Sequence, residues 1–343
     1  MAAGEWTRSS DLARGVMVWA ALAGSAAFTS AALAGPVPDY DFEWASVGAV
    51  GNRAPIESEV PGYWPYMHYG SVNHRYRITK TEVTYGQWLE FVNAYAPFNQ
   101  GPPRAFEMTG FYLSYNAGTG QYSMTNGADR APMETSWRMA ARYCNWLQNG
   151  KVAEQWAFET GAYDTSTFGR NPDGTFTDQL THNADAQFWI PTYDEWVKAL
   201  YYDPNKYGQG QEGYWAYPHA NDSEPISGLP QDGGETNAGI LWSEELMFMD
   251  VGSYPDVQSP WGLLDGSGGQ REWSETAFDA YSRIMDGSRF GMGNAFPYYD
   301  LLDFWGFVDP DAHFGFRVAS QVPSPASVLL LTCPFNLCRR RVR

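Results

Sequence analysis

The chain has 343 residues, of which 44% are hydrophobic and 16% aromatic, and its formal net charge at pH 7 is −17. This composition is that of a globular protein and excludes a disordered chain, which would be poor in apolar and aromatic residues. An acidic surface repels phosphate groups, so the charge argues against nucleic acid and anionic membranes as partners and leaves cations, neutral glycans and basic proteins. The same charge would also serve simply to keep the protein soluble.

The first 34 residues have the layout of a secretory signal peptide. Arg8 and Arg14 precede an uncharged run over 15–34 that ends in Ala-Leu-Ala, a typical cleavage pattern. A run of this length could also span a bilayer as an uncleaved anchor, but its Ala, Gly and Ser content makes it weakly apolar. We therefore predict a signal peptide over 1–34, cleavage after Ala34 and an exported body.

Three helices and a few short strands are predicted in the body. Alternation over 76–81 indicates a strand, and each helix follows a recognisable N-terminal cap. These caps are Thr84 with Gln87, Ser136, and Thr192 with Glu195. Long connections rich in Gly, Asn and Asp separate the elements, and no repeat or low-complexity linker divides them. The pattern predicts a single α+β domain over 45–320.

The three cysteines of the chain do not form a disulfide framework for an exported protein. Cys144 falls on the apolar side of the second predicted helix, which favours a buried thiol that acts as a small apolar residue. A reactive thiol is the alternative.

An aromatic cluster lies in the predicted loop "EGYWAYPHANDSEP". Tyr214, Trp215 and Tyr217 stand there among polar neighbours, and aromatic faces beside Asn and Asp side chains are one way of holding a sugar. The alternative is that these large rings fill the core of a fold with little regular structure.

The stretch "GLLDGSGGQREW" over 262–273 predicts a tight turn, because its glycines allow backbone conformations that other residues avoid. Asp265 and Glu272 bring two carboxylates near the carbonyls of this turn. Ligation by oxygen alone suits calcium. A glycine turn whose Glu272 accepts backbone hydrogen bonds, without any metal, is the alternative.

Five stretches in order over 76–319 resemble the sulfatase-modifying-factor family, whose founding activity is the formylglycine-generating enzyme. They are "ITKTEVTYGQWLEFVNA", "APMETSWRMAARYCNWL", "WIPTYDEWVKAL", "PWGLLDGSGGQREWSE" and "HFGFRVAS". The resemblance implies an α+β fold of the C-type-lectin-like kind, with short helices and strands and long irregular loops.

The resemblance also implies calcium at the glycine-rich turn. The ligands that it implies are the side chains of Asp265 and Glu272 and the backbone oxygens of Gly268 and Gln270. Arg271 departs from the family pattern and adds a positive charge beside the proposed ion. A second implied calcium site begins at Asn237-Ala238, but the loop that carries its other ligands is shorter here.

The oxidase chemistry of the family needs two cysteines that bind copper(I), for which soft thiolates are required. Ser288 matches the end of the block that precedes them, and the two cysteine positions fall on Gly291 and Phe296. Neither residue can hold copper, so copper is not expected. The five histidines are scattered singly, which does not suggest the iron-dependent relatives of the fold.

The tail over 321–343 resembles a PEP-CTERM sorting signal, with "VPSPAS", an apolar run and "RRRVR" in succession. The run over 326–337 is too short to span a bilayer by itself. Cys333 and Cys338 have the spacing of the family's copper pair but lie beyond its last block. We predict that they belong to the sorting tail; a membrane-independent tail and a metal-binding pair are the alternatives.

The sequence thus predicts an exported, surface-directed bacterial protein at the cell envelope or outside the cell. It would act as a noncatalytic binding or structural module for a surface polysaccharide or another exported protein, with membrane contact only through the tail. One alternative is an oxidase that converts a sulfatase cysteine to formylglycine. Another is an enzyme of unknown reaction that uses Ser288, Arg289 and Asn294 in the same groove.

Overall fold

The computed structural model describes residues 37–60, 68–125, 127–240, 249–291, 297–302 and 306–323. All of them belong to the unit Pro36–Arg343, and the other unit, Met1–Gly35, lies outside the described residues. The predicted signal peptide, Cys333 and Cys338 therefore lie outside the described part of the chain.

Short strands are distributed over several small sheets. They are β1 Trp44–Val47, β2 Tyr76–Thr79, β3 Leu113–Asn116, β4 Gln121–Met124, β5 Phe188–Trp189, β6 Tyr202–Asp203, β7 Gly213–Tyr214, β8 Glu272–Ala277, β9 Arg283–Asp286, β10 Gly306–Val308 and β11 Ala319–Gln321. One sheet has the order β1-β2-β11-β5 with antiparallel neighbours, and a second has the order β10-β9-β8. Strands β3 and β4 form one hairpin, and β6 pairs with β7.

The helices are equally short. They are α1 Tyr85–Tyr95, α2 Phe106–Thr109, α3 Trp137–Gln148, α4 Gln155–Glu159 and α5 Tyr193–Tyr201. Single turns of 3-10 helix occur at Glu57–Glu59, Ala96–Phe98, Thr165–Thr167, Pro230–Asp232 and Pro297–Asp300. In the part of the chain that the structure describes, no helix is long and apolar enough to cross a membrane.

The three predicted helices begin at their predicted caps. The Thr84 side chain accepts a hydrogen bond from the Gln87 amide, while the Gln87 side chain accepts one from the Thr84 amide. Thr192 and Glu195 form the same reciprocal box at α5, and Ser136 caps α3. These contacts satisfy amide groups that a helix start leaves without partners, which is why so local a signal predicts the helices correctly.

Large aromatic rings fill the core between the small sheets and the helices. Trp88, Trp137, Trp146, Trp196 and Trp273 are each at most 2% exposed. Burial of such rings contributes much of the stability that a fold with little regular structure needs.

Two residue groups from the sequence analysis belong to this core. Cys144 is fully buried in α3, as predicted, and burial raises the pKa of its thiol well above the ordinary value. Tyr214 and Tyr217 are also buried, so two of the three rings in the aromatic loop serve packing. The partly buried Trp215 lies against the ammonium group of Lys206, 4.7 Å from its ring centre.

Candidate functional site

The glycine-rich turn packs tightly against two side chains from distant parts of the chain. Gly268 and Gly269 have φ angles of +84° and +58°, a region that side chains rarely adopt. A Cβ atom at Gly268 would lie 2.1 Å from Asn237 Oδ1, and one at Gly269 would lie 2.2 Å from Glu82 Oε1. Glycine is therefore required at both positions, and Glu82 and Asn237 belong to the same site.

Glu272, one of the predicted calcium ligands, is held by an arginine. The Nε atom of Arg317 donates to both carboxylate oxygens at 2.9 Å, and Trp196 Nε1 donates to Oε2 at 2.7 Å. Arg317 also donates to the backbone oxygens of Leu264 and Asp265. The positive charge beside Glu272 is thus that of Arg317, whereas the sequence predicted a calcium ion there.

Asp265, the other predicted carboxylate, faces a small cavity that Glu82 and Asn237 also line. Asp265 Oδ2 accepts a hydrogen bond of 2.6 Å from the Gly252 amide. Glu82 is 1% exposed; its Oε1 accepts from the Gln270 amide at 3.2 Å, while its buried Oε2 has no hydrogen-bond partner. Glu82 was not predicted from sequence, although it stands inside the first of the five stretches that resemble the family.

Burial makes both of these carboxylates costly to ionise, and the charge of Asp265 adds to the cost for Glu82. Burial and the charge of Asp265 raise the pKa of Glu82 well above its ordinary value. Burial raises the pKa of Asp265 to about 6. Arg317 partly offsets both pKa shifts, and one of its Nη atoms lies 3.9 Å from Oε2 of Glu82.

The predicted four-ligand set fits calcium only in part. Asp265 faces the cavity, whereas both Glu272 oxygens are engaged by Arg317 and Trp196. The amides of Gly268 and Gln270 donate to Ser288 Oγ and Glu82 Oε1. Among the described residues, no three His, Cys, Asp or Glu side chains are grouped to hold a metal. An ion here would therefore take most of its ligands from backbone carbonyls.

A buried network ties the turn to the segment that follows β9. Asp300 Oδ2 accepts from Ser267 Oγ at 2.6 Å and from Ser288 Oγ at 2.8 Å, and Oδ1 accepts from the Ser288 amide at 2.7 Å. The Gly268 amide donates to Ser288 Oγ at 2.7 Å. Burial raises the pKa of Asp300 to about 7. The Ser288 hydroxyl is thus fully engaged in holding two backbone segments together.

Comparison with known proteins identifies the family. A family model described as a sulfatase-modifying factor enzyme 1-like domain matches residues 48–322. The chain belongs to this family. The resemblance inferred from five sequence blocks and the predicted α+β fold of the formylglycine-generating-enzyme type are thereby confirmed.

Among solved structures, the chain is similar to one titled "Crystal Structure of CarF". The two share 18% sequence identity over 83% of this chain and 99% of that chain, with a TM-score of 0.48. No curated protein sequence gives a significant match.

The first of the two positions that the resemblance assigns to copper lies next to the network. Phe290 donates its amide to the carbonyl of Gly269 at 3.0 Å, so this segment runs beside the glycine-rich turn. Gly291 follows with a φ angle of +73° and carries no side chain. Phe296, the second position, lies outside the described residues, and so does Asn294.

Arg289 lies near another buried carboxylate, Glu134. Gln270 donates to Glu134 through its side-chain amide. Burial raises the pKa of Glu134 to about 7, although the charge of Arg289 opposes the shift.

The three cavities around the turn and this segment have volumes of about 10 Å³ each. That is room for about one water molecule. In this conformation the site accommodates a small ion or a water molecule rather than an extended peptide.

Proposed function

We propose that this member of the sulfatase-modifying-factor family is a noncatalytic binding or structural module. The observation that carries the proposal is the absence of sulfur at both copper positions, where the resemblance places Gly291 and Phe296. Copper(I) in a low-coordinate site needs soft thiolate ligands, and neither glycine nor phenylalanine supplies one. Cys144 is no substitute, because it is fully buried and its raised pKa keeps the thiol protonated.

The hydrogen bonds of Ser288 support a structural role for the segment that follows β9. A nucleophilic serine needs a neighbouring base and an approach for substrate. Ser288 is 1% exposed, donates to Asp300 and accepts from Gly268. This arrangement favours a structural role for Ser288 over that of a nucleophile. It therefore disfavours the alternative in which the protein is an enzyme of unknown reaction.

Calcium is our proposal for the cavity beside the glycine-rich turn. The buried Oε2 atom of Glu82 supports it, because this oxygen accepts no hydrogen bond and its contact with Arg317 is long, at 3.9 Å, so that a cation would stabilise it. Asp265 and Glu82 would hold the ion together with backbone oxygens of the turn. Bound there, calcium would fix the turn and its neighbouring segments rather than take part in a reaction.

We also propose that the module is exported and held at the cell envelope by the tail over 321–343. The signal-peptide layout of residues 1–34 and the basic end of the tail support this. Its partner would be a surface polysaccharide or another exported protein.

An assay of copper(I) binding and peptide oxidation tests the noncatalytic function. The full chain with Cys333→Ser and Cys338→Ser is expected to bind copper(I) no better than one buried thiol. It is also expected to leave a sulfatase-type cysteine peptide unchanged. The matched comparison is the same chain with Gly291→Cys and Phe296→Cys, which restores both thiols. Turnover of the peptide by the chain without these two thiols would contradict the proposal.

A further inference from the structure

An open cleft lies between the C-terminal end of α1, the 3-10 turn Ala96–Phe98, and helices α3 and α4. Its volume is about 330 Å³, against about 10 Å³ for each cavity around the glycine-rich turn. Pockets that bind small ligands begin at about 300 Å³. The cleft has no lining residue in common with those cavities. It is therefore large enough for a ligand that the predicted site could not accept.

Arg142 extends from α3 into this cleft with its Nε–H group unused as a hydrogen-bond donor. Its Nε atom is buried without an acceptor, and the side chain is 19% exposed. Glu159 Oε1 lies 3.5 Å from Nε, and the guanidinium carbon lies 5.4 Å from the ring centre of Phe168. By contrast, each guanidinium nitrogen of Arg138, one turn earlier, has an acceptor. A buried guanidinium N–H group without an acceptor is costly, and a ligand oxygen would relieve that cost.

The charges around Arg142 restrict the ligand. Glu107, Glu159 and Asp311 line the same cleft; Glu107 and Glu159 each accept from a neighbouring hydroxyl group, and Asp311 accepts from Arg138. These carboxylates and the net charge of −17 disfavour an anion. Arg142 and Arg138 disfavour a cation. A neutral ligand with many hydroxyl groups suits the cleft, since each hydroxyl both accepts from guanidinium and donates to carboxylate.

Aromatic rings supply the apolar part of the cleft. Tyr95 is buried at its inner end and Phe98 is partly exposed at its wall. Phe98 rests on Phe158, with the ring centres 5.7 Å apart, so its position is supported from behind. A ring face of this kind packs against the C–H face of a sugar, while the surrounding polar groups orient its hydroxyls.

We propose that this cleft is a binding site for a neutral sugar, with Arg142 and Phe98 as its principal contacts. The proposal rests on the function proposed above, that of a binding module, and supplies its ligand class. It differs from the sugar site considered from sequence, because Tyr214 and Tyr217 of that loop are buried in the core.

The test is direct binding to the purified full chain. Glucose, galactose, mannose, N-acetylglucosamine, maltose and cellobiose are titrated by calorimetry and by ligand-observed NMR, alongside glucuronate, inorganic phosphate and ethanolamine. At least one neutral sugar is expected to bind, and the charged probes are not. Arg142→Met and Phe98→Ala should each weaken binding by at least about tenfold. Arg142→Lys keeps the charge but loses the planar donors, so it should weaken binding while preserving the fold.

Matched controls are Arg104→Met and Phe111→Ala, which change exposed residues outside the cleft and should leave binding unchanged. Circular dichroism and Tm establish that each variant is folded. The proposal is overturned if no neutral sugar binds the folded chain, if a charged probe binds instead, or if binding survives both Arg142→Lys and Phe98→Ala. Peptide oxidation in the copper assay would contradict the noncatalytic function alone, so the two proposals fail separately.

Discussion

Single residues in the site differ in how their buried charge is compensated. Glu272 is paired with Arg317, whereas Asp300 has only hydroxyl and amide donors, and Glu82 has one oxygen without a donor. A buried carboxylate costs free energy unless it is paired or protonated. These three residues should therefore respond differently to pH and to cations.

Asp300 should make the protein less stable as the pH rises towards neutrality. Burial raises its pKa from 3.8 to about 7. The folded state then keeps a proton that the unfolded chain has already lost, so stability falls as pH rises through this window. The contribution of Asp300 is complete below about pH 3.8 and is lost above its folded pKa. Asp300→Asn should remove this dependence, which amounts to about 4 kcal/mol at most.

Urea unfolding at intervals from about pH 4 to pH 8 measures this effect. The exposed Asp232 supplies the control, Asp232→Asn, which should leave the slope of stability against pH as in the unchanged protein. An equal slope in Asp300→Asn and in the unchanged protein would show that Asp300 does not titrate in this range.

At the scale of elements, local sequence signals predicted the helices but not the smaller pieces. The two residues of a capping box lie within one turn of each other, so the sequence alone indicates where α1 and α5 begin. Strand β5 has two residues and helix α2 has four, which is too few to show a periodic pattern of apolar residues. Their conformations depend on packing with distant segments.

The site, too, could be predicted from sequence only where its residues lie close together in the chain. Asp265 was found because it lies inside the glycine-rich turn. Glu82 contacts Gln270 across 188 positions, and Arg317 contacts Glu272 across 45. No local pattern reports such contacts, so the sequence could not indicate that Glu272 is paired with arginine.

The glycine-rich turn with its neighbouring strand β8 should be stabilised by calcium. A ligand that binds only the folded state raises the free energy of unfolding, by about 2.7 kcal/mol at a hundredfold excess over Kd, and Tm rises with it. Asp265→Ala and Glu82→Gln should abolish the gain, because they remove the two buried carboxylates that line the cavity. Thermal unfolding in calcium and in chelator measures it.

The variant Glu272→Gln distinguishes the calcium ligands proposed from the structure, Asp265 and Glu82, from the set predicted from sequence, which includes Glu272. Loss of the Glu272 charge leaves Arg317 without its principal partner, so the variant should be less stable in calcium and in chelator alike. The calcium gain itself should persist if Asp265 and Glu82 hold the ion, and should vanish if the four-ligand set predicted from sequence is correct. If the unchanged protein melts at the same temperature with calcium and with chelator, the calcium proposal is contradicted.

At the scale of the whole molecule, the aromatic core allows a fold made largely of loops. Buried tryptophans connect helices and small sheets that would not be stable separately. Composition alone indicated this use of aromatic residues. It could not indicate the cleft around Arg142, because the lining residues Tyr95, Arg142 and Glu159 come together only when α1, α3 and α4 pack.

The last prediction concerns how the whole protein is held at the cell surface. Residues 326–337 are mostly apolar and are followed by Arg339, Arg340, Arg341 and Arg343, while the full chain carries a net charge of −17. Apolar residues backed by arginines can hold a chain at an anionic membrane, whereas an acidic body is repelled from it. Deletion of 322–343 should therefore release the body from the cell surface into the medium.

Cell fractionation with an antibody to the body measures this release. The matched comparison is the full-length chain with Cys333→Ser and Cys338→Ser, which keeps the apolar run and the arginines and should stay cell-associated. Its folding and ligand binding should equal those of the unchanged protein, because sorting depends on the apolar and basic character of the tail rather than on its thiols. If the truncated and full-length chains partition identically, the tail is not an anchor and the two cysteines need a different explanation.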